Sequence, residues 1–140
     1  MKISFLSDGV PVPDIDCLKI KNWIAAIASS YGRNVGEIAY IFCNDTKILE
    51  VNRRYLQHDY YTDIITFDDS LNHTIRGDIF ISLDTVASNA QQQQTSFQEE
   101  LNRVIIHGIL HLCGINDKGP GERAIMEAAE NKALMLLKTL

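Results

Sequence analysis

The segment "SFQEELNRVIIHGILHLCG", residues 96 to 114, restricts the fold more than any other part of the chain. Ser96 and Glu99 form an S-x-x-E capping box just ahead of an apolar run, so a helix starts near Ser96. Leu101, Val104, Ile105, Ile109, Leu110 and Leu112 fill much of its surface, and Gly114 is placed to stop it. A helix that is apolar nearly all round has to be enclosed by the rest of the chain. With 140 residues, 46% of them hydrophobic, the chain can build one core of the required size but not two. Residues 1–140 are therefore expected to form a single domain.

The remaining elements follow from pattern. "KISFL" has the composition of a strand, with "DGVPVPD" as the turn after it. Between Asp16 and Tyr31, Leu18, Ile20, Trp23, Ile24 and Ile27 recur at helical spacing, with Asp14 or Asp16 as N-cap and Gly32 as stop. "GEIAYIFCN" is a strand. Asn44 or Asp45 caps a second helix carrying Ile48, Leu49, Val51, Asn52 and Tyr55. "TDIITFD" and "GDIFISL" are two further strands, joined by the polar stretch "DSLNHTIR", in which Asp68 and Asp69 suit a turn. Asp84 opens a helical region whose four glutamines either coat a helix or mark a break between two. "ERAIMEAAENKALMLLKTL" is an amphipathic last helix after the loop "NDKGPGE". The order β-α-β-α-β-β-α-α, with about five helices if the glutamines mark a break, predicts an α+β class. A small mixed four-stranded sheet is packed against the helices.

Charge and cysteine usage narrow the setting. Thirteen basic residues against 18 acidic ones give a net charge of -5, which does not announce a nucleic-acid binder, although a local basic patch can act alone. Cys17, Cys43 and Cys113 are far apart, odd in number and each in an apolar segment, so reduced core thiols in a cytoplasmic protein are expected. The N-terminus lacks the long apolar region of a signal peptide, and no run approaches a membrane span.

Two of the four histidines, His107 and His111, lie four apart on the enclosed helix and project from one face. Two imidazoles so placed can share one metal ion. Gly114 can turn the chain back, and Asp117 then stands at the spacing H-x-x-x-H-x-x-G-x-x-(ligand) of metzincin peptidases, with carboxylate in place of the last imidazole. Zinc suits this set, and the carboxylate eases the entry of a harder ion such as manganese. In zinc peptidases the residue after the first histidine is a glutamate base; here it is Gly108, which cannot take a proton and disfavours peptidase chemistry. One expectation for so small a residue is that it leaves room for a bulky group near the metal.

"HGILHLCGIND" resembles the H-G-x-L-H-L-x-G-x-D-H signature of the YbeY family of metal-dependent endoribonucleases. "LEVNRRYLQHDYYTDIITF" is similar to the family's L-N-x-x-Y-R…D-x-P-T-[DN]-V-L-S-F segment, "RGDIFIS" to its G-D-I-x-I-S strand, and "MEAAENKALMLL" to its M-x-x-x-E-x-x-[IL]-L helix. The resemblance implies a zincin-like fold and one metal ion per chain, zinc with manganese or nickel as alternatives, held at the positions of His107, His111 and Asp117. It implies hydrolytic cleavage of single-stranded ribosomal RNA, maturation of the small-subunit rRNA 3′ end, and ribosome quality control. The partners implied are the small ribosomal subunit and its proteins, with neither DNA nor membrane. Three positions depart from the pattern. The third histidine falls at Asp117; if the register slips by one, Lys118 takes the ligand place, and a lysine ligand is chemically poor. The family's Arg after Tyr falls at Leu56. Tyr61 stands where the family has Pro before Thr62.

Arg53, Arg54 and Arg76 are candidates for holding an RNA backbone near the metal, and His58 for a direct catalytic role, the base being unassigned. Arg76 and Tyr60 are the candidate substrate contacts, Tyr60 by stacking on a base. Thr62, Asp63 and Thr66 suit outer hydrogen bonds to the metal pocket. A rival expectation is a binding protein in ribosome assembly whose metal is structural; a zinc peptidase comes third.

Overall fold

The computed structural model describes residues 1–58 and 62–140, so Asp59, Tyr60 and Tyr61, with the stacking expectation for Tyr60, lie outside the described residues. Among the described residues, four strands and five helices follow in the order β1 (Lys2–Ser7), α1 (Cys17–Ser30), β2 (Asn34–Cys43), α2 (Asp45–Leu56), β3 (Ile64–Asp68), β4 (Thr74–Ser82), α3 (Leu83–Gln93), α4 (Phe97–Leu112) and α5 (Glu122–Leu137). The strands form one mixed sheet in the order β1-β2-β4-β3. β1 and β4 run parallel to β2, and β3 pairs antiparallel with β4 as an edge strand. This is the α+β, zincin-like arrangement that the sequence implies.

The helix starts are set by side chains that satisfy free backbone N–H groups. Asp16 accepts from Lys19 N, Asn44 from Lys47 N, Ser82 from Thr85 N and Ser96 from Glu99 N. The glutamines mark a break: α3 ends at Gln94 in the left-handed region, and Ser96 restarts the chain as α4. β4 begins three residues earlier than "GDIFISL" suggests. Thr74 and Ile75 pair with Asn34 and Val35 of β2, after a tight turn in which Asn72 has φ +57°. The polar surroundings of Thr74–Arg76 hide two β-branched residues that fit a pleated surface.

Alternation along the strands gives the sheet two different faces. Ile38, Tyr40, Phe42, Ile79 and Ile81 join the larger cluster with residues of α1, α3, α4 and α5. Cys43, Ile65, Phe67 and Phe80 pack on Ile48 and Val51 of α2 across the other face. The enclosed helix is α4, whose Leu101, Ile105, Ile106, Ile109 and Leu110 are wholly buried. Tyr40 spans from sheet to helix and donates its hydroxyl to the Ile105 carbonyl at 2.9 Å. Trp23 of α1 likewise donates to the Ala133 carbonyl of α5 at 2.8 Å, tying α1 to α5.

The cysteines are free thiols, but only Cys43 and Cys113 are core residues. Cys17 is exposed, against expectation; it is the first residue of α1, at the helix end. Among the described residues no helix is long and apolar enough to cross a membrane.

Candidate metal centre

A cavity of about 830 Å³ runs along β3 and is walled by α4 and α5. His107, His111 and Asp117 all line it. The two histidines share a face of α4 because they stand four apart on a 3.6-residue helix. Asp117 returns to that face through a Schellman turn: Gly114 N donates to the His111 carbonyl at 3.0 Å and Ile115 N to the Leu110 carbonyl at 3.1 Å. Gly114 has φ +99°, a conformation that a β-carbon would strain. Arg33 closes the same helix end by donating to the Cys113 carbonyl at 3.2 Å.

The His107 ring is held from both sides. Its Nδ1 lies 2.7 Å from Oε2 of Glu130, and its Nε2 lies 3.3 Å from Oδ2 of Asp117. Glu130 is nearly buried, and its other oxygen accepts from Arg103 at 2.9 Å; Arg103 also donates to Asn131 Oδ1 at 2.8 Å. A carboxylate at Nδ1 favours the tautomer protonated there, leaving the Nε2 lone pair facing the cavity. Two ligands about 2.1 Å from a shared tetrahedral ion stand about 3.4 Å apart, so the Nε2–Oδ2 pair is already at ligand spacing. His111 is half-buried in the same wall. As the side chains stand, no three His, Cys, Asp or Glu groups among the described residues converge on one point. The donor set therefore suits zinc in kind, with one pair in place.

The electrostatics follow from this crowding. Burial pulls the His107 imidazole down, but the hydrogen bond and charge of Glu130, with Asp117 and Asp63, outweigh it and leave the pKa raised. Burial pushes Glu130 up, and His107 and Arg103 overcome it, so its carboxyl lies below the usual range. Asp63, on the β3 side, is raised chiefly by burial.

The other anticipated residues are placed unequally. His58 is exposed and lines the cavity, as do Thr62, Asp63 and Thr66. Leu56, where the family pattern has Arg, also lines it, so an apolar side chain sits on the wall. Arg53 and Arg54 border a separate shallow depression with Thr46, Leu49 and Glu50. Arg76 lies in another depression and pairs with Asp69 at 3.0 Å, away from the cavity wall. Lys118 and Arg123 are the cavity's further cations beside Arg103.

Gly108 does not leave space beside His107 and His111. A β-carbon there would lie 3.0 Å from Ile79 Cδ1 and 3.2 Å from Ile64 Cδ1, so the glycine lets α4 approach the sheet. That corrects the idea of a vacancy for a bulky group: the space is filled by core isoleucines. Glu130 is the site residue that sequence reasoning passed over. It is the second Glu of "MEAAENKALMLL", but nothing local shows that it faces His107, 23 residues away.

Residues 12–138 match the model of the endoribonuclease YbeY family. This chain belongs to that family. It is 67% identical to an endoribonuclease YbeY of Phocaeicola vulgatus over 135 residues, covering 96% of this chain and 98% of that one. It is 62% identical to one of Bacteroides fragilis, with 99% of each chain covered, and 53% identical to one of Porphyromonas gingivalis, covering 98% and 91%. Among solved structures, a Thermotoga maritima protein determined in solution superposes with a TM-score of 0.67 at 26% identity, covering 96% of this chain and 88% of that one. YbeY membership and the cavity geometry thus meet on α4, the element carrying the family's histidine signature.

Proposed function

We propose that the chain is a metal-dependent endoribonuclease that cleaves single-stranded ribosomal RNA in small-subunit 3′-end maturation and ribosome quality control. Its YbeY relatives are named endoribonucleases, and it matches them over nearly its whole length. The observation that carries the chemistry is His107, clamped at Nδ1 by Glu130 with Nε2 3.3 Å from Asp117 Oδ2. Zinc is the proposed ion, one per chain, held by His107, His111 and Asp117; manganese and nickel are the alternatives. His111, on the same face of α4 and in the same cavity wall, would be the third ligand.

A bound ion of this kind supplies a Lewis acid and a water of lowered pKa. The chain's own groups do the rest. Glu130 fixes the imidazole, and Arg103 fixes Glu130. Lys118 and Arg123 line the same cavity and supply positive charge for a phosphodiester, which Leu56 does not. His58, exposed and lining the cavity, is the proposed residue for a direct catalytic role. The site of action is the cytoplasm, where ribosomal subunits are the partners.

His111→Ala tests the reading. Elemental analysis should find about one metal per chain in the natural protein and none in the variant, and cleavage of a single-stranded RNA should vanish with the metal. Cleavage by a demonstrably metal-free variant would overturn the mechanism. Leu56 favours a second reading, a non-catalytic assembly factor with a structural metal. Four protein ligands with no exchangeable water would support it.

A further inference from the structure

The inner part of the cavity holds a group that the metal chemistry does not use. Glu100 of α4 is only 4% exposed, yet it lines the cavity. Among the described residues its carboxylate makes no side-chain hydrogen bond or ion pair, because the neighbouring Arg103 is committed to Glu130 and Asn131. The Glu100 side chain is thus enclosed by the fold while its carboxylate reaches the cavity without a donor among the described residues. Asp63 faces the same space and accepts from Asn89 Nδ2 at a long 3.4 Å, and Asn89 and Gln93 line the wall beside it. Burial, with the charges of Asp63 and Glu130, pushes the Glu100 carboxyl above its usual range, and Arg103 opposes this. A ligand bringing N–H donors to Glu100 would relieve that situation.

Position indicates which ligand. Glu100 precedes His107 by seven residues, two helical turns, or about 10 Å along the axis at ~1.5 Å per residue. A nucleotide whose phosphate sits by the histidines can direct its base to that depth. Resting on the endoribonuclease reading, we propose that Glu100 marks a nucleobase pocket that reads the nucleotide next to the cleaved phosphate and prefers guanine. Guanine presents two adjacent donors, N1–H and the 2-amino group, which match the two oxygens of one carboxylate. Adenine and cytosine present one amino group beside a ring acceptor. Uracil presents one N–H between two carbonyls that face the carboxylate unfavourably. Unstacked RNA bases are commonly read on this edge.

The test uses the purified, metal-containing protein. Guanosine and uridine 5′-monophosphate are titrated by calorimetry, and uridine decamers carrying one guanosine, adenosine or cytidine at the centre are cleaved and mapped. The natural protein should bind the guanosine monophosphate about tenfold tighter or more, and cut beside guanosine with a similar preference in kcat/KM. In Glu100→Gln the ratio should fall toward one, with metal content and thermal unfolding retained. Equal binding of the two monophosphates, or a preference that persists in Glu100→Gln, overturns the pocket. If the variant does not fold, the ratio in the natural protein decides. Cleavage without base preference refutes the pocket and leaves the endoribonuclease standing. A guanosine preference without any cleavage supports the pocket and refutes the endoribonuclease.

Discussion

Gly108→Ala separates the two roles a glycine can have next to His107. Alanine raises intrinsic helix propensity by about 1 kcal/mol in a helix interior. Against this, the new methyl would lie 3.0 and 3.3 Å from Ile79 Cδ1 and Cγ2 and 3.2 Å from Ile64 Cδ1. Carbon pairs prefer about 3.5–4.0 Å, so three contacts are short by a few tenths of an ångström at once. Ile79 is fully buried and has nowhere to withdraw. Overpacking of this kind costs about 1–3 kcal/mol, so a net loss of about 1 kcal/mol is expected. Urea unfolding followed through Trp23, wholly buried in the native state, measures it. Ile79→Val removes the nearest methyl and should cost about 0.5–1.5 kcal/mol alone. Combined with Gly108→Ala, it should cost at least about 0.5 kcal/mol less than the sum of the two. A Gly108→Ala protein stabilised by the full helix-propensity gain, and additive with Ile79→Val, would refute the close-packing account.

Two further outcomes follow from buried groups. Glu130→Ala removes the Nδ1 partner of His107 and should weaken zinc binding about 10- to 100-fold in a chelator competition; an unchanged affinity would show that the clamp does not orient the ring. Burial pushes the Cys43 thiol up to about 12 and Cys113 to about 11, so near pH 8 neither offers thiolate, and a thiol reagent should modify the exposed Cys17 alone until urea is added. Rapid native labelling of a second thiol would contradict that.

Local signals were legible wherever the physics is local. The caps at Asp16, Asn44 and Ser96 and the stop at Gly114 depend on residues within a few positions, and the structure forms them as spacing suggests. The histidine pair is legible for the same reason, since one helix fixes both. Glu130, Glu100 and Gly108 were not legible in role. Each acts through another element: Glu130 by α5 docking on α4, Glu100 by a shared cavity with β3 and α3, and Gly108 by contact with β3 and β4. The arginines show the converse. Arg76 is adjacent to a family motif in sequence, but the turn before β4 gives it Asp69 as a partner and carries it away from the cavity.

The clamp on His107 also has a meaning in time. His107 and His111 leave the ribosome before the residue that orients one of them, because Glu130 lies in the last helix. A chain still in synthesis, or clipped ahead of α5, carries both imidazoles without the carboxylate that selects the His107 tautomer. The clamped form of His107 therefore exists only once α5 has docked on α4.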